Sequence, residues 1–168
     1  LAMRRFIATT IAAVAALGPG TAAAADAMAR LHDVAGRHVG QVLLTATPNG
    51  TLLHLTLRAI PAGAHAFHVH ATGTCIPPFT SAGGHFAPAG RGHGLMDADG
   101  MHAGDMPNLH VPTSGRLEQE VLNPAVALDG ALFDADGAAI VIHAGADDHV
   151  TNPAGAAGAR IACGVIER

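Results

Sequence analysis

Residues 39–60, VGQVLLTATPNGTLLHLTLRAI, contain two runs rich in Leu and β-branched residues on either side of Pro-Asn-Gly at 48–50. Such residues favour extended backbone, and Asn-Gly is a strong β-hairpin signal. In the second run Leu53, Leu55 and Leu57 alternate with mostly polar residues. A period of two places the apolar side chains on one face of a strand. The stretch therefore predicts a hairpin with one face in a hydrophobic core.

The rest of the chain continues this pattern of short strands. Further strand-like runs lie at 28–34, 64–71, 116–122, 139–143 and 160–166. Glycine and proline interrupt the sequence throughout, and no long helical period is visible. Short strands separated by turn signals predict an all-β sandwich or barrel. Two long stretches of low periodicity, 72–115 and 144–159, are expected to be loops.

The length of the chain indicates how many domains it forms, and its charged residues and histidines indicate which partners it could bind. The chain has 168 residues, one domain's worth, and a net charge of −4. All nine basic residues are arginine, and they form no basic cluster, so nucleic acid is not an expected partner. Twelve histidines stand against two cysteines. Because imidazole is the commonest protein metal ligand, the arrangement of these histidines decides what the protein binds.

Residues 1–25 have the pattern of a secretory signal peptide. Arg4 and Arg5 precede a short apolar run, which ends at Gly-Pro-Gly and a small-residue site near Ala25. The alternative, a membrane anchor, needs a longer apolar segment. We expect export to the periplasm with cleavage near Ala25, which leaves 26–168 with a net charge of −6 and no membrane attachment. In an oxidising compartment Cys75 and Cys163 are expected to pair, the alternative being two buried free thiols.

Three groups of histidines have the spacing of metal ligands. His68 and His70 flank one residue in a strand-like run, so both rings project from the same face. Alone, this pair is equally typical of an exposed strand. The 72–115 loop contains three histidines and a carboxylate, a donor set suitable for a zinc ion with a closed tetrahedral coordination shell. A bound ion would also order this long loop. The alternative is a polar surface loop with incidental histidines. His143 ends a buried run and could add an imidazole to a copper site.

At these residues the sequence resembles the exported bacterial branch of the copper/zinc superoxide dismutase family. The resemblance covers essentially all of 26–168. It is carried, in this order, by GAHAFHVH, TCIPP, AGGHFAP, HAGDMPN, IVIHAGADDH and GARIACGVI. It implies a Greek-key β-sandwich or flattened barrel of about eight antiparallel strands with two long functional loops.

The resemblance also implies roles for individual residues. The family's copper ligands correspond to His68, His70, His85 and His143, and its zinc ligands correspond to His85, His93, His102 and Asp105. This implies that His85 bridges the two ions. Asp147 matches a carboxylate that links a copper ligand to a zinc ligand, expected here between His68 and His93. Cys75 and Cys163 match the disulfide pair. Arg160 matches the arginine that attracts and orients the anionic substrate beside the copper.

The implied activity is the conversion of superoxide to O₂ and H₂O₂ by Cu(II)/Cu(I) cycling, with one copper and one structural zinc per chain. The alternative is a periplasmic copper/zinc carrier or buffer on the same scaffold, while a zinc hydrolase is disfavoured because Asp105 closes the zinc set. The sequence departs from the family in having no lysine to steer the anion. It leaves monomer and homodimer open.

Overall fold

The structure, a computed structural model, describes residues 26–168, so the predicted signal peptide lies outside the described residues. Nine strands and one 3₁₀ turn (Thr80–Ala82) form in this part of the chain. The strands are β1 (Ala27–Asp33), β2 (His38–Thr47), β3 (Gly50–Leu57), β4 (Gly63–His65), β5 (Phe67–His70), β6 (Leu109–Val111), β7 (Leu117–Asn123), β8 (Ala139–His143) and β9 (Arg160–Glu167).

The strands form one curled antiparallel sheet and one small sheet. The large sheet has the order β5-β8-β9-β1-β2-β3-β7, and β4 pairs with β6 in the small one. A single residue separates β4 from the edge strand β5, and residues 112–116 join β6 to the other edge strand, β7. The small sheet therefore spans the two edges of the large one. This confirms the all-β, flattened-barrel prediction, and closure of this kind protects sheet edges from pairing with other chains.

The 39–60 stretch folds as the predicted hairpin, with Thr47 paired to Gly50 across a tight turn. Its central residues are Pro48 and Asn49, so the hairpin closes one residue earlier than the Asn-Gly signal implied. Leu53, Leu55 and Leu57 are buried, as the alternation predicted. They join a core that is almost entirely aliphatic, which explains how the domain packs without tryptophan or tyrosine.

Two strand boundaries differ from the sequence prediction. The run at 64–71 divides at Ala66, whose N–H donates to the Gly145 carbonyl and whose carbonyl accepts from the N–H of His143. Those bonds move the chain from the small sheet to the large one. The predicted 72–115 loop also contains β6, which is three residues long and pairs with β4. So short a strand leaves almost no periodicity in the sequence.

A disulfide joins the start of the first long loop to the last strand. Cys75 and Cys163 are bonded, with their Cα atoms 5.7 Å apart, so the free-thiol alternative is wrong. Phe79 packs in a small buried cluster beside this bond. In the chain-entropy model, closing a loop of 88 residues stabilises the fold by about 4–5 kcal/mol. Across residues 26–168, no helix is long and apolar enough to span a bilayer.

The close approach of β1 and β9 requires glycine at 164. A Cβ on Gly164 would lie 2.5 Å from the carbonyl oxygen of Arg30, a backbone atom that cannot move without separating the strands. We expect Gly164→Ala to lower the free energy of unfolding by about 1–3 kcal/mol. The matched control is Gly130→Ala, where nothing lies within 4 Å of the added Cβ and the change should stay within about 0.5 kcal/mol. Equal denaturation midpoints for the two variants would contradict this account.

Candidate metal centre

Backbone hydrogen bonds hold the first long loop against β5. Val69 donates to the Gly104 carbonyl at 3.0 Å and accepts from Phe86 N–H at 2.8 Å, and Gly104 N–H donates to Phe86 at 2.8 Å. These bonds, with the bridge between His70 and His85, place two loop segments beside the strand that contains His68 and His70. The loop is therefore part of the fold, and its histidines are fixed relative to the sheet.

Four buried imidazoles converge on one point. One ring nitrogen from each of His68, His70, His85 and His143 lies within 4.8 Å of the others. Phe67 and Val69 point into the core on the other face of β5. The exposed-strand alternative is wrong, because His68 and His70 are both completely buried.

Three of these rings are held by their outer nitrogens. His68 Nε2 bonds Asp147 Oδ2 at 2.7 Å, His70 Nδ1 bonds the Gly83 carbonyl at 3.0 Å, and His143 Nδ1 bonds the Gly158 carbonyl at 3.2 Å. Since each acceptor takes the ring N–H, the inner nitrogen keeps its lone pair. The four inner nitrogens, His68 Nδ1 and the Nε2 atoms of His70, His85 and His143, are buried and have no hydrogen-bond partner. Four unpartnered imidazole lone pairs form a donor set that fits copper.

A second group lies against the first. The Nδ1 atoms of His85, His93 and His102 surround Asp105 Oδ1 at 2.7, 3.1 and 3.3 Å. The other carboxylate oxygen accepts the backbone N–H groups of Gly94 and His102, which fixes the orientation of the carboxylate. Three imidazoles and one carboxylate are a tetrahedral zinc donor set with no position left for water.

His85 belongs to both groups and presents a different nitrogen to each. Nδ1 faces the carboxylate of Asp105, and Nε2 faces the copper-type group. The His85 and His68 ring centroids are 4.0 Å apart. The two donor sets therefore share one ring.

Asp147 connects the two groups from outside. Its two carboxylate oxygens accept His68 Nε2 at 2.7 Å and His93 Nε2 at 3.0 Å, as the resemblance implied. Asn108 in turn holds Asp147 by a reciprocal pair of bonds to its backbone N–H and carbonyl, at 2.7 and 2.9 Å. One aspartate thus fixes the tautomers of two histidines that face different donor sets.

The electrostatics of the site favour the forms that bind metal ions. Burial lowers the pKa of His68 and of His143 to about 4, and burial also lowers the pKa of His70 strongly. Burial alone would raise the pKa of Asp105, but hydrogen bonds from His85 and the Gly94 N–H hold it well below its usual range. At neutral pH the rings of His68, His70 and His143 are therefore neutral and the carboxylate of Asp105 is ionised.

Arg160 lies beside the copper-type group, as the cross-strand neighbour of His143. Its guanidinium donates to the carbonyl of Phe79 at 2.6 Å and to that of Gly83 at 2.7 Å. The Gly83 carbonyl also accepts His70 Nδ1. The Gly83 carbonyl therefore fixes the Arg160 guanidinium relative to the His70 ring.

The structure brings together every residue of both predicted ligand sets, with Asp147, Arg160 and the cysteine pair around them. Their roles toward metal and substrate stay predictions. His65 belongs to neither donor set, and its ring nitrogens contact the backbone carbonyls of His143 and Pro61. Sequence reasoning missed Asn108, Phe79 and Gly83. Asn108 lies inside a recognised motif, but carbonyl acceptors leave no trace in the identity of a residue.

Comparison with known proteins agrees with this geometry. The family model for copper/zinc superoxide dismutase matches residues 38–166. The chain is 47% identical over 146 residues to Superoxide dismutase [Cu-Zn] 2 of Aquifex aeolicus, which covers 83% of this chain and 85% of that protein. It is 45% identical over 139 residues to Superoxide dismutase [Cu-Zn] of Caulobacter vibrioides, with coverage of 79% and 80%. The chain therefore belongs to the copper/zinc superoxide dismutase family.

Solved structures agree with the fold. A SOD-like protein from Bacillus subtilis superposes with a TM-score of 0.78 at 36% identity, over 82% of this chain and 96% of that one. The Cu/Zn superoxide dismutase from Brucella abortus gives 0.72 at 28% identity, over 84% and 100%.

The contact between Asp147 and His93 depends on glycine at 155. A Cβ on Gly155 would collide with the Asp147 carboxylate and approach the His93 ring, whereas one on Gly158 meets nothing within 4 Å. Both glycines have positive φ, 64° and 76°, so alanine at either position carries the same left-handed strain. We expect Gly155→Ala to cost about 1–3 kcal/mol more than Gly158→Ala in unfolding. It should also lower zinc affinity about tenfold or more in chelator competition. Equal zinc affinity in the two variants would show that Asp147 does not orient His93.

Proposed function

We propose that this protein is a superoxide dismutase that uses one copper and one zinc ion per chain. Two superoxide anions and two protons become O₂ and H₂O₂, one anion being oxidised and the other reduced. The observation that carries the proposal is the set of four buried, unpartnered imidazole nitrogens that shares His85 with a three-histidine, one-carboxylate set. Membership of the copper/zinc superoxide dismutase family supports the same activity.

Copper would be held by His68, His70, His85 and His143, and zinc by His85, His93, His102 and Asp105. When bound, copper supplies a one-electron redox couple and zinc supplies a fixed charge without redox chemistry. Asp147 keeps His68 and His93 in the tautomers that leave a lone pair for each ion.

Two side chains act on the substrate. Arg160 provides a permanent positive charge, and its two carbonyl bonds fix that charge beside His143, where a small anion would be attracted and oriented. His85 Nε2 would carry a proton only while it is not bound to copper, and it would deliver that proton to the reduced oxygen, the second proton of H₂O₂ coming from water. The disulfide supports Arg160 indirectly, because it anchors the segment whose Phe79 and Gly83 carbonyls accept the guanidinium.

The alternatives explain less of the site. A copper/zinc carrier has no need of an arginine fixed beside the copper-type group. A zinc hydrolase needs an open coordination position and a general base, and Asp105 closes the zinc set.

We also propose that residues 1–25 direct export and are removed near Ala25, which leaves 26–168 as a periplasmic domain. The charged, apolar and small-residue segments support this, as does the disulfide, because such bonds persist in oxidising compartments. N-terminal sequencing of the protein from a periplasmic extract tests the boundary. Nucleic acid is not an expected partner of this domain, and sedimentation velocity distinguishes monomer from homodimer.

The decisive experiment loads residues 26–168 with copper and zinc and measures superoxide removal. We expect rapid removal by the native sequence, and a loss of more than about tenfold in His85→Ala, because that change takes a ligand from both sites. His110→Ala is the control, since His110 is exposed on β6 and belongs to neither donor set. Metal content measured beside activity separates lost loading from lost turnover. Unchanged activity in His85→Ala would contradict the bridging role.

Steering of the substrate should depend only weakly on salt. The 144–159 loop has Asp147 and Asp148, no lysine and no arginine before Arg160. We therefore expect a smaller fall in kcat/KM on adding salt than in lysine-bearing relatives. Val150→Lys, on an exposed position of this loop, should raise the rate at low salt and steepen the dependence. Val34→Lys, exposed in the β1–β2 loop, should change neither. Salt sensitivity of the native chain equal to that of the relatives would refute the prediction.

A further inference from the structure

A second concentration of charge lies where the β1–β2, β3–β4 and β6–β7 connections meet. Arg58 N–H donates to the Val39 carbonyl at 2.8 Å and Ile60 N–H to the Gly115 carbonyl at 3.4 Å, so these connections are hydrogen-bonded to their neighbours. They line an open surface cavity of about 390 Å³, here called the arginine cavity. Its polar lining consists of Arg37, His38, Arg58, Ser114 and Arg116. It shares no residue with either metal-type group.

The charge of the arginine cavity is opposite to that of the domain. Residues 26–168 contain seven arginines, no lysine and thirteen acidic residues, yet three of the seven arginines line this one cavity. Of the three arginines of the cavity, only Arg37 has a carboxylate partner, Asp33, at 2.6 Å. Within 26–168, neither Arg58 nor Arg116 forms an ion pair. The nearby acid on β7, Glu118, is 3.4 Å from His54 instead. Two positive charges are therefore uncompensated.

Two of the guanidinium groups are held in place. Arg58 Nη2 donates to His38 Nδ1 at 2.6 Å, and Arg37 Nε donates to Asp33 Oδ2 at 2.7 Å. Ser114 Oγ accepts the backbone N–H of Arg116 at 3.3 Å, which leaves its own hydroxyl hydrogen free to donate. Side chains that are already oriented lose less conformational entropy when a ligand binds.

The environment of His38 excludes a cation as the ligand. Partial desolvation lowers the pKa of His38, although the residue is exposed, and the positive charges of Arg58 and Arg30 lower it further. Arg58 also occupies the Nδ1 lone pair, so the neutral ring carries its proton on Nε2 and has no lone pair for a metal ion. A positive field with N–H and O–H donors suits an oxyanion, and guanidinium groups match the geometry of phosphate oxygens.

We infer that the arginine cavity binds an oxyanion of the phosphate class, through the guanidinium groups of Arg58 and Arg116 with Ser114 as a further donor. Arg37 contributes less, because Asp33 already neutralises it. The anion comes either from a soluble phosphate compound or from a phospholipid headgroup, and both offer the same oxygens to the site.

The test uses the copper/zinc-loaded protein in its diamagnetic Cu(I) form and inorganic phosphate as the probe. Backbone amide NMR shifts at Ala59, Gly115 and Gly36 report binding at the cavity separately from anion binding near Arg160. We expect saturable shifts in the native chain and affinity at least about tenfold weaker in Arg58→Gln/Arg116→Gln. Both side chains are exposed, so the fold should tolerate the change.

The control, Arg30→Gln/Arg168→Gln, removes the same net charge from outside the cavity. It is stringent because Arg30 contributes to the field at His38. The control should bind phosphate within about twofold of the native chain, because direct contacts and not net charge hold the anion. Equal weakening in both double variants, or the absence of shifts at the cavity, would overturn the inference.

A parallel arm distinguishes the two sources of phosphate. The native protein and both double variants are sedimented with vesicles of phosphatidylglycerol and of phosphatidylcholine. Sedimentation with phosphatidylglycerol alone, lost in Arg58→Gln/Arg116→Gln, assigns the cavity to a lipid headgroup. Phosphate binding without sedimentation assigns it to a soluble ligand.

Discussion

Each imidazole on the copper side of the metal centre, apart from the shared ring, is held from outside by a fixed oxygen. Asp147 and the carbonyls of Gly83 and Gly158 take the ring protons of His68, His70 and His143. These hydrogen bonds determine which ring nitrogens can bind a metal ion, because a ring that donates its N–H outward has its lone pair directed inward. The cost is four buried nitrogens without partners, which an apolar core would not tolerate.

The oxygens that accept these ring protons are supplied by the two long loops. The loops must therefore be held in place by contacts of their own. The disulfide anchors the segment that contains the Phe79 and Gly83 carbonyls. Asn108 links the first loop to Asp147 in the second by two backbone bonds. Asn123, at the end of β7, is buried and donates to the Ala103 carbonyl at 2.9 Å, which fixes the loop next to Asp105. The disulfide, the two hydrogen bonds of Asn108 and the hydrogen bond of Asn123 thus fix the loops where regular secondary structure is lacking.

The distribution of arginine is the second organising feature. In a domain that has no lysine, one arginine is fixed beside the copper-type group and three line a cavity that shares no residue with that group. An anion therefore meets a fixed positive charge at two separate places on a negatively charged surface. Guanidinium suits both places, because its charge is permanent and its planar donors can be held by carbonyl oxygens or by an imidazole nitrogen.

The sequence by itself determined most of the strands and which residue types make up the donor sets. Alternation along 51–57 predicted which leucines are buried. Spacing paired His68 with His70 and grouped the ligands of the 72–115 loop, and the family resemblance implied that the two groups share His85. Those features follow from residue type and period. Only the tertiary structure decided the division at Ala66, the short strand β6, the shared carbonyl of Gly83, and the meeting of Arg58 with Arg116. Backbone acceptors are the same in every residue, and distant loops meet only through chain packing, so neither leaves a pattern in the order of amino acids.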